Sequence, residues 1–200
     1  MIAFQYNKTS LQHLEKQLKM RVRTLPIIKN KESALRIEVK KCKADMQQHD
    51  EEYARQIEQY RAMFALWTEF DASLVKTGEL LIGHKKVAGV LVPVLENASF
   101  VVAPYSLFTS PKWFADGIEL LKDMAMTAIR RELLNKKLTL LETARKKTTQ
   151  KVNLFEKVQI PGYQDAIRKI KRFMEDEENL SKSSQKILKS LLEQREEATV

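Results

Sequence analysis

The sequence predicts an all-α protein, a long antiparallel two-helix coiled coil with a small central region of short helices and a β-hairpin. Three observations carry this. Apolar residues recur at three-to-four spacing from about residue 9 to 70 and again from about 111 to 195. Five glycines and five prolines in 200 residues leave room for few turns. Between residues 73 and 111 the pattern changes to β-branched and alternating. The expected organisation is one elongated unit in three segments: an N-terminal helix over 1–72, a central region with the hairpin over 73–115, and a C-terminal helix over 116–200.

The first helix opens at Thr9 or Ser10, either of which can accept from the free backbone N–H groups of the first turn. With Leu11 as the first seam position, the heptads read Leu11, Leu14, Leu18, Leu25, Ile28, Leu35, Val39, Cys42, Met46, Tyr53, Tyr60, Met63 and Trp67, with Arg21, Glu32, His49 and Gln56 as polar interruptions. A 60-residue helix is about 90 Å long at 1.5 Å per residue, so it needs an equally long partner. Pro26 predicts a kink or local break, with Leu25 drawn towards an extended conformation.

In the central region, Lys85 to Leu95 reads as one strand, Glu96-Asn97-Ala98-Ser99 as a turn and Phe100 to Ala103 as a second strand. Thr109-Ser110-Pro111 then reads as a helix start. The second helical run contains an irregularity. Val152, Phe155 and Val158 follow one apolar face, and Ile160, Tyr163, Ile167, Ile170 and Met174 resume it one step out of phase, with Pro161-Gly162 at the change. Folding the two runs back on each other buries both stripes and places both termini at one end. Glu175 to Glu178 would then face the basic part of the first helix.

Lys and Arg number 35 against 26 Asp and Glu, a net charge of +9. That balance attracts acidic partners, whether nucleic acid, an anionic membrane surface or an acidic protein cavity. Tyr53, Tyr60, Phe64 and Trp67 fall on the expected buried stripe, away from the basic residues, which argues against base stacking. No phosphate-cradling glycine loop occurs, and His13, His49 and His84 have no ligand at metal-binding spacing. Cys42 is the single cysteine and falls on the seam, where it reads as a small apolar group. No catalytic, cofactor or metal residue stands out. The longest apolar run, Val87 to Leu95, is far short of the roughly 20 residues that span a bilayer. A soluble, intracellular chain is expected.

Three stretches resemble a known family. Val152-Asn153-Leu154-Phe155-Glu156, followed by Val158, Ile160-Pro161 and the Ile167/Ile170 pair, resembles the C-terminal helix of the D subunit of V-type and A-type ATPases. Leu25-Pro26-Ile27-Ile28-Lys29-Asn30-Lys31 through Leu35 resembles the family's first helix, and Ala88-Gly89-Val90-Leu91-Val92-Pro93 its central segment. The chain departs from that pattern at Gln150-Lys151, where a basic pair is usual, at Phe155 in place of Leu, and at Pro26.

The resemblance implies a central-stalk rotor protein without catalytic residues or cofactor, at the cytoplasmic side of a membrane. Its partners would be the catalytic A and B subunits of a hexamer, the F subunit and a membrane-side stalk subunit (C/d), with no nucleic acid and no insertion into the bilayer. On that expectation Leu11, Leu14, Leu18, Ile187, Leu188, Leu191 and Leu192 form the shaft inside the ring, with Lys16, Lys19, Arg21, Lys186 and Lys189 facing it. Val90 and Val92 of the hairpin, and Val152, Asn153, Phe155, Glu156 and Ile160, would meet stalk partners. The alternative from another class is a stand-alone basic coiled coil that scaffolds proteins or binds nucleic acid.

Overall fold

A computed structural model describes residues 2–62, 67, 69–70, 72–106 and 110–197. Helix α1 spans Lys8–Ala62, strands β1 and β2 span Val75–Val87 and Val90–Val102, helix α2 spans Phe114–Asn153 and helix α3 spans Ile160–Glu197. A π-helical segment, Leu154–Gln159, joins α2 to α3. The predicted seam residue Met63 and the aromatic Phe64 lie outside the described residues, as does Thr109. The chain divides into two compact units, Met1–Asn30 with Thr149–Val200, and Lys31–Thr148.

In the first unit, α1 and α3 run antiparallel. Glu15 pairs with Lys171 at 2.9 Å, Arg21 with Gln159 at 2.7 Å and Lys29 with Glu156 at 2.7 Å, so rising numbers on one helix meet falling numbers on the other. Leu14, Ala166, Ile167 and Ile170 form the buried core, flanked by Leu11, Leu18, Tyr163 and Met174. Ile2 and Phe4 close over this core. A Cβ on Gly162 would stand 3.1 Å from Ile2 Cδ1, so the missing side chain there lets the N-terminal segment lie close. Tyr6 packs on Phe173, ring centroids 4.8 Å apart.

The cap of α1 is Asn7 rather than Thr9 or Ser10. Its Oδ1 accepts from the Ser10 backbone N–H at 2.7 Å, and its carbonyl accepts from the Leu11 N–H at 3.1 Å. Asparagine is among the best residues for this position because its short side chain reaches the orphan donors of the first turn. Asn7→Ala should cost about 1 kcal/mol, read as a lowered midpoint of thermal unfolding.

Pro26 does not break the helix, and Leu25 is helical. Both Pro26 and Val22 are exposed, so the carbonyl left without a donor one turn back faces water. The cross-helix ties at Arg21 and Lys29 bracket the proline and hold the segment in place. Pro161 is also tolerated, for a different reason. The Ile160 N–H bonds to the Phe155 carbonyl, five residues back, and the π turn accommodates the proline that follows. A π turn takes up about one residue more than an α turn, which is the one-step slip in the apolar pattern.

In the second unit, β1 and β2 form an antiparallel hairpin whose turn is Ala88-Gly89, with φ of 48° and 79°. Positive φ at both central residues is the turn that matches strand twist. The expected turn at Glu96 to Ser99 and the expected single strand over Lys85 to Leu95 are therefore incorrect. The polar stretch instead accompanies two register irregularities, between Thr77 and Leu80 and between Leu81 and Ile82. Ser99 Oγ accepts from the Glu79 N–H at 2.8 Å and is 3.1 Å from the Glu79 carbonyl, to which it donates. Polarity there serves a bulge inside a strand.

Val92 from the hairpin joins Leu35, Val39 and Cys42 of α1 and Leu141 of α2 in the buried core of this unit. α1 and α2 are antiparallel here too, with Lys43 against Glu142 at 2.8 Å and Asp50 against Arg131. Farther along, Trp67 stacks on Tyr60 and contacts Phe70 and Trp113, and Trp113 packs edge-on against Phe114. α2 starts at Phe114, three residues beyond Pro111, whose carbonyl accepts from the Phe114 N–H at 3.1 Å.

Burial pushes the Cys42 thiol up from its ordinary pKa, opposed in part by Lys137. The folded state therefore favours the protonated thiol. Its contribution to stability is complete below the ordinary thiol pKa and is lost as pH rises above it. Cys42 should react with a thiol reagent at mildly alkaline pH far more slowly in the folded chain than in denaturant, measured as the ratio of the two rates.

Candidate assembly surfaces

The apolar surfaces that the chain leaves uncovered are clearest on α3. The ring contact of Tyr6 with Phe173 and the packing of Met174 mark the last contacts with the N-terminal segment. From residue 175 to 194, about 30 Å of helix at 1.5 Å per residue, every residue of α3 is exposed and has no packing partner among the described residues. Leu180, Ile187, Leu188, Leu191 and Leu192 are 52–70% exposed on this length. Their spacing puts them on one stripe.

Leu11, Leu14 and Leu18 are therefore not brought together with Ile187, Leu188, Leu191 and Leu192. The first three pack on Tyr163 to Met174, and the other four stand free beyond the start of α1. The termini are not level, since α1 begins opposite the middle of α3. Glu175 to Glu178 lie past the basic part of α1, and Glu178 instead pairs with Lys182 at 2.7 Å on its own helix. That hydrogen bond holds the Glu178 carboxyl below its usual pKa. Lys186 is exposed beside the stripe, and Lys189 is exposed with Glu193 at 3.8 Å.

The π segment orders a second group. Arg21, expected to face outward, is half-buried and engaged inside the chain. It donates from Nε to Gln159 at 2.7 Å and from Nη1 to Gln17 Oε1 at 2.6 Å. Its guanidinium lies 4.5 Å from the Tyr163 ring centroid and 6.0 Å from that of Phe155. Lys16 and Lys19 are exposed, as expected.

Val152, Phe155 and Ile160 are half-buried, Asn153 is exposed, and Glu156 is held by Lys29. Val158 leaves the apolar face predicted for it and is exposed, as is Leu154. The extra residue of the π turn rotates it outward, a displacement that periodicity counted at 3.6 residues per turn misses. The Lys29–Glu156 pair is about half exposed on each side, so it contributes less than about 1 kcal/mol and serves alignment more than stability.

On the hairpin, Val92 is fully buried and Val90 half-buried, so they hold the hairpin on α1 and α2. Leu80, Leu81, Ile82, Leu91, Val94 and Val101 are the exposed apolar residues instead. Among the described residues no cluster of His, Cys, Asp or Glu could hold a metal ion, and no helix is long and apolar enough to cross a membrane.

An exposed apolar stripe of this extent, on a helix that continues past its antiparallel partner, defines a class: a coiled-coil component of a larger assembly. The comparisons with known proteins say which. The family model for the ATP synthase D subunit matches residues 10–190. The V-type ATP synthase D subunit of Borreliella burgdorferi is 29% identical over 188 residues, covering 92% of this chain and 93% of that protein. Those of Chlamydia pneumoniae and Chlamydia felis are 28% and 29% identical, covering 91% and 92% of this chain and 90% and 91% of theirs. The chain belongs to the ATP synthase D-subunit family, the central-stalk component of V/A-type ATPases.

Proposed function

We propose that this chain is the non-catalytic rotor shaft of its complex, with the free end of α3 as the part gripped by the catalytic A and B subunits. The observation that carries this is the uncovered stripe Leu180, Ile187, Leu188, Leu191 and Leu192. Covering each such side chain is worth about 1.5–3 kcal/mol relative to leaving it in water, so a surrounding sleeve is favoured. Lys186 and Lys189 beside the stripe suit a polar or acidic lining.

Leu11, Leu14 and Leu18 act one step back, fixing α3 against α1 where the free length begins. Coupling then works by differential binding. Each angle of an asymmetric shaft favours one arrangement of open and closed nucleotide sites on the ring over the others. The exposed residues of the π segment, Asn153, Leu154 and Val158, and those of the hairpin face the F subunit and the membrane-side stalk subunit (C/d). The complex lies at the cytoplasmic side of the membrane.

Affinity purification of the tagged chain from detergent-solubilised membranes tests this. Nucleotide-binding hexamer subunits should co-elute in fixed ratio with ATPase activity, while the isolated chain turns over no ATP. Recovery of the chain alone, or with nucleic acid whose binding falls steeply with salt, would reject the assignment.

A further inference from the structure

Two hollows flank Pro93 on the second unit. One, of about 520 Å³, is walled by Leu91, Pro93, Thr139 and Leu140, with His84 and Lys136 among its lining residues. The other, of about 260 Å³, is walled by Pro93, Val94, Leu95, Leu133 and Leu134, with His49, Arg130 and Lys137. Both are open to solvent, and Leu91, Val94 and Leu140 are exposed in or beside them.

The charge around these hollows is one-sided. Every titratable residue lining them is a base, and no carboxylate lines either. Elsewhere in this unit cations meet acids of the same chain, Lys43 with Glu142 and Arg131 with Asp50. Of the hollows' five bases, Lys136 has Glu132 at 3.7 Å and His49 has Glu52 at 3.2 Å. Arg130, Lys137 and His84 have no ion pair among the described residues.

We propose that the hollows on either side of Pro93 form one docking groove for an acidic amphipathic segment of a partner polypeptide. Its apolar side chains fill the two hollows, and its carboxylates reach Arg130, Lys137 and His84. Two shallow apolar seats separated by a proline suit two anchor side chains of a helix or strand. A single acyl chain is better served by a closed tunnel, and no Phe, Tyr or Trp ring lines the groove as a platform for stacked bases. This inference does not depend on the shaft reading, which rests on α3; it deepens the reading of the hairpin as a partner-facing element by giving the chemistry of what docks there.

The probe is a synthetic helix of about 18 residues with Leu at i, i+3, i+4 and i+7 and Glu elsewhere, titrated by fluorescence anisotropy against the full chain at about 0.15 M salt. Its counterpart carries Lys in place of Glu. The acidic peptide should bind saturably and the basic one should not. Arg130→Glu with Lys137→Glu should weaken binding by about tenfold or more, and Leu91→Ser with Leu140→Ser should do the same without changing charge.

Lys40→Glu with Lys41→Glu makes the same charge change at exposed positions outside the groove and should leave affinity within about twofold. Circular dichroism verifies that each variant is folded. Equal weakening by the two charge-reversal pairs, equal binding of the two peptides, or no saturable binding overturns the proposal. Saturable laurate binding that Leu140→Ser abolishes, with no peptide binding, also overturns it and assigns the groove to a fatty acid.

Discussion

Ile170→Asp should abolish the packing of α1 on α3 in the unit that contains the termini. Ile170 is fully buried among Leu14, Ala166 and Ile167, with no polar group in that core to receive a carboxylate. Losing a buried isoleucine costs about 2–5 kcal/mol, and burying a carboxylate without a partner adds several more. That is a large share of the roughly 5–15 kcal/mol by which a domain is stable. The expected result is early, non-cooperative melting by circular dichroism and rapid proteolysis within residues 8–30. Ile187→Asp, on the same helix but 61% exposed, should change stability by no more than about 0.5 kcal/mol. Equal losses for the two variants would mean that the free end of α3 is covered by its own chain.

Removing residues 180–200 is the second large effect, and it divides structure from function. Residues 180–194 of the removed stretch are all exposed, so the melting temperature should be unchanged. In the reconstituted complex, ATP-driven ion transport should fall to background while residual hydrolysis by the ring persists. Transport that keeps its normal ratio to ATP consumed would place the gripped surface elsewhere. Leu188→Glu with Leu191→Glu grades the same test, leaving the helix intact while making the stripe repel an acidic or apolar lining.

Why these two experiments differ so much was not evident from periodicity. Leu11 to Leu18, Ile167 to Ile170 and Ile187 to Leu192 carry the same spacing, and nothing in that spacing says whether the cover is intramolecular. The helices, their antiparallel pairing and the existence of a hairpin were legible, because each is a repeated local pattern. The one-step slip near Pro161 was legible too, and the π segment explains it.

The hairpin's turn was not. Ala88 takes a positive φ that its side chain disfavours, while Glu96 to Ser99 carries turn-like residues that instead accompany a bulge. Arg21 looked like a surface cation, yet Gln17, Gln159 and Tyr163 converge on it from positions that only the folded pair brings near. Pro26 looked like a breaker because its exposure, which lets water take the orphaned carbonyl, is a property of the assembled unit.

The uncovered end of α3 also bears on how the cell keeps its complexes in balance. A copy made in excess leaves those five aliphatic side chains in water, so it should aggregate or be proteolysed faster than the assembled chain, measured as its half-life when overproduced alone. On that expectation the level of this chain would follow the supply of whatever encloses it.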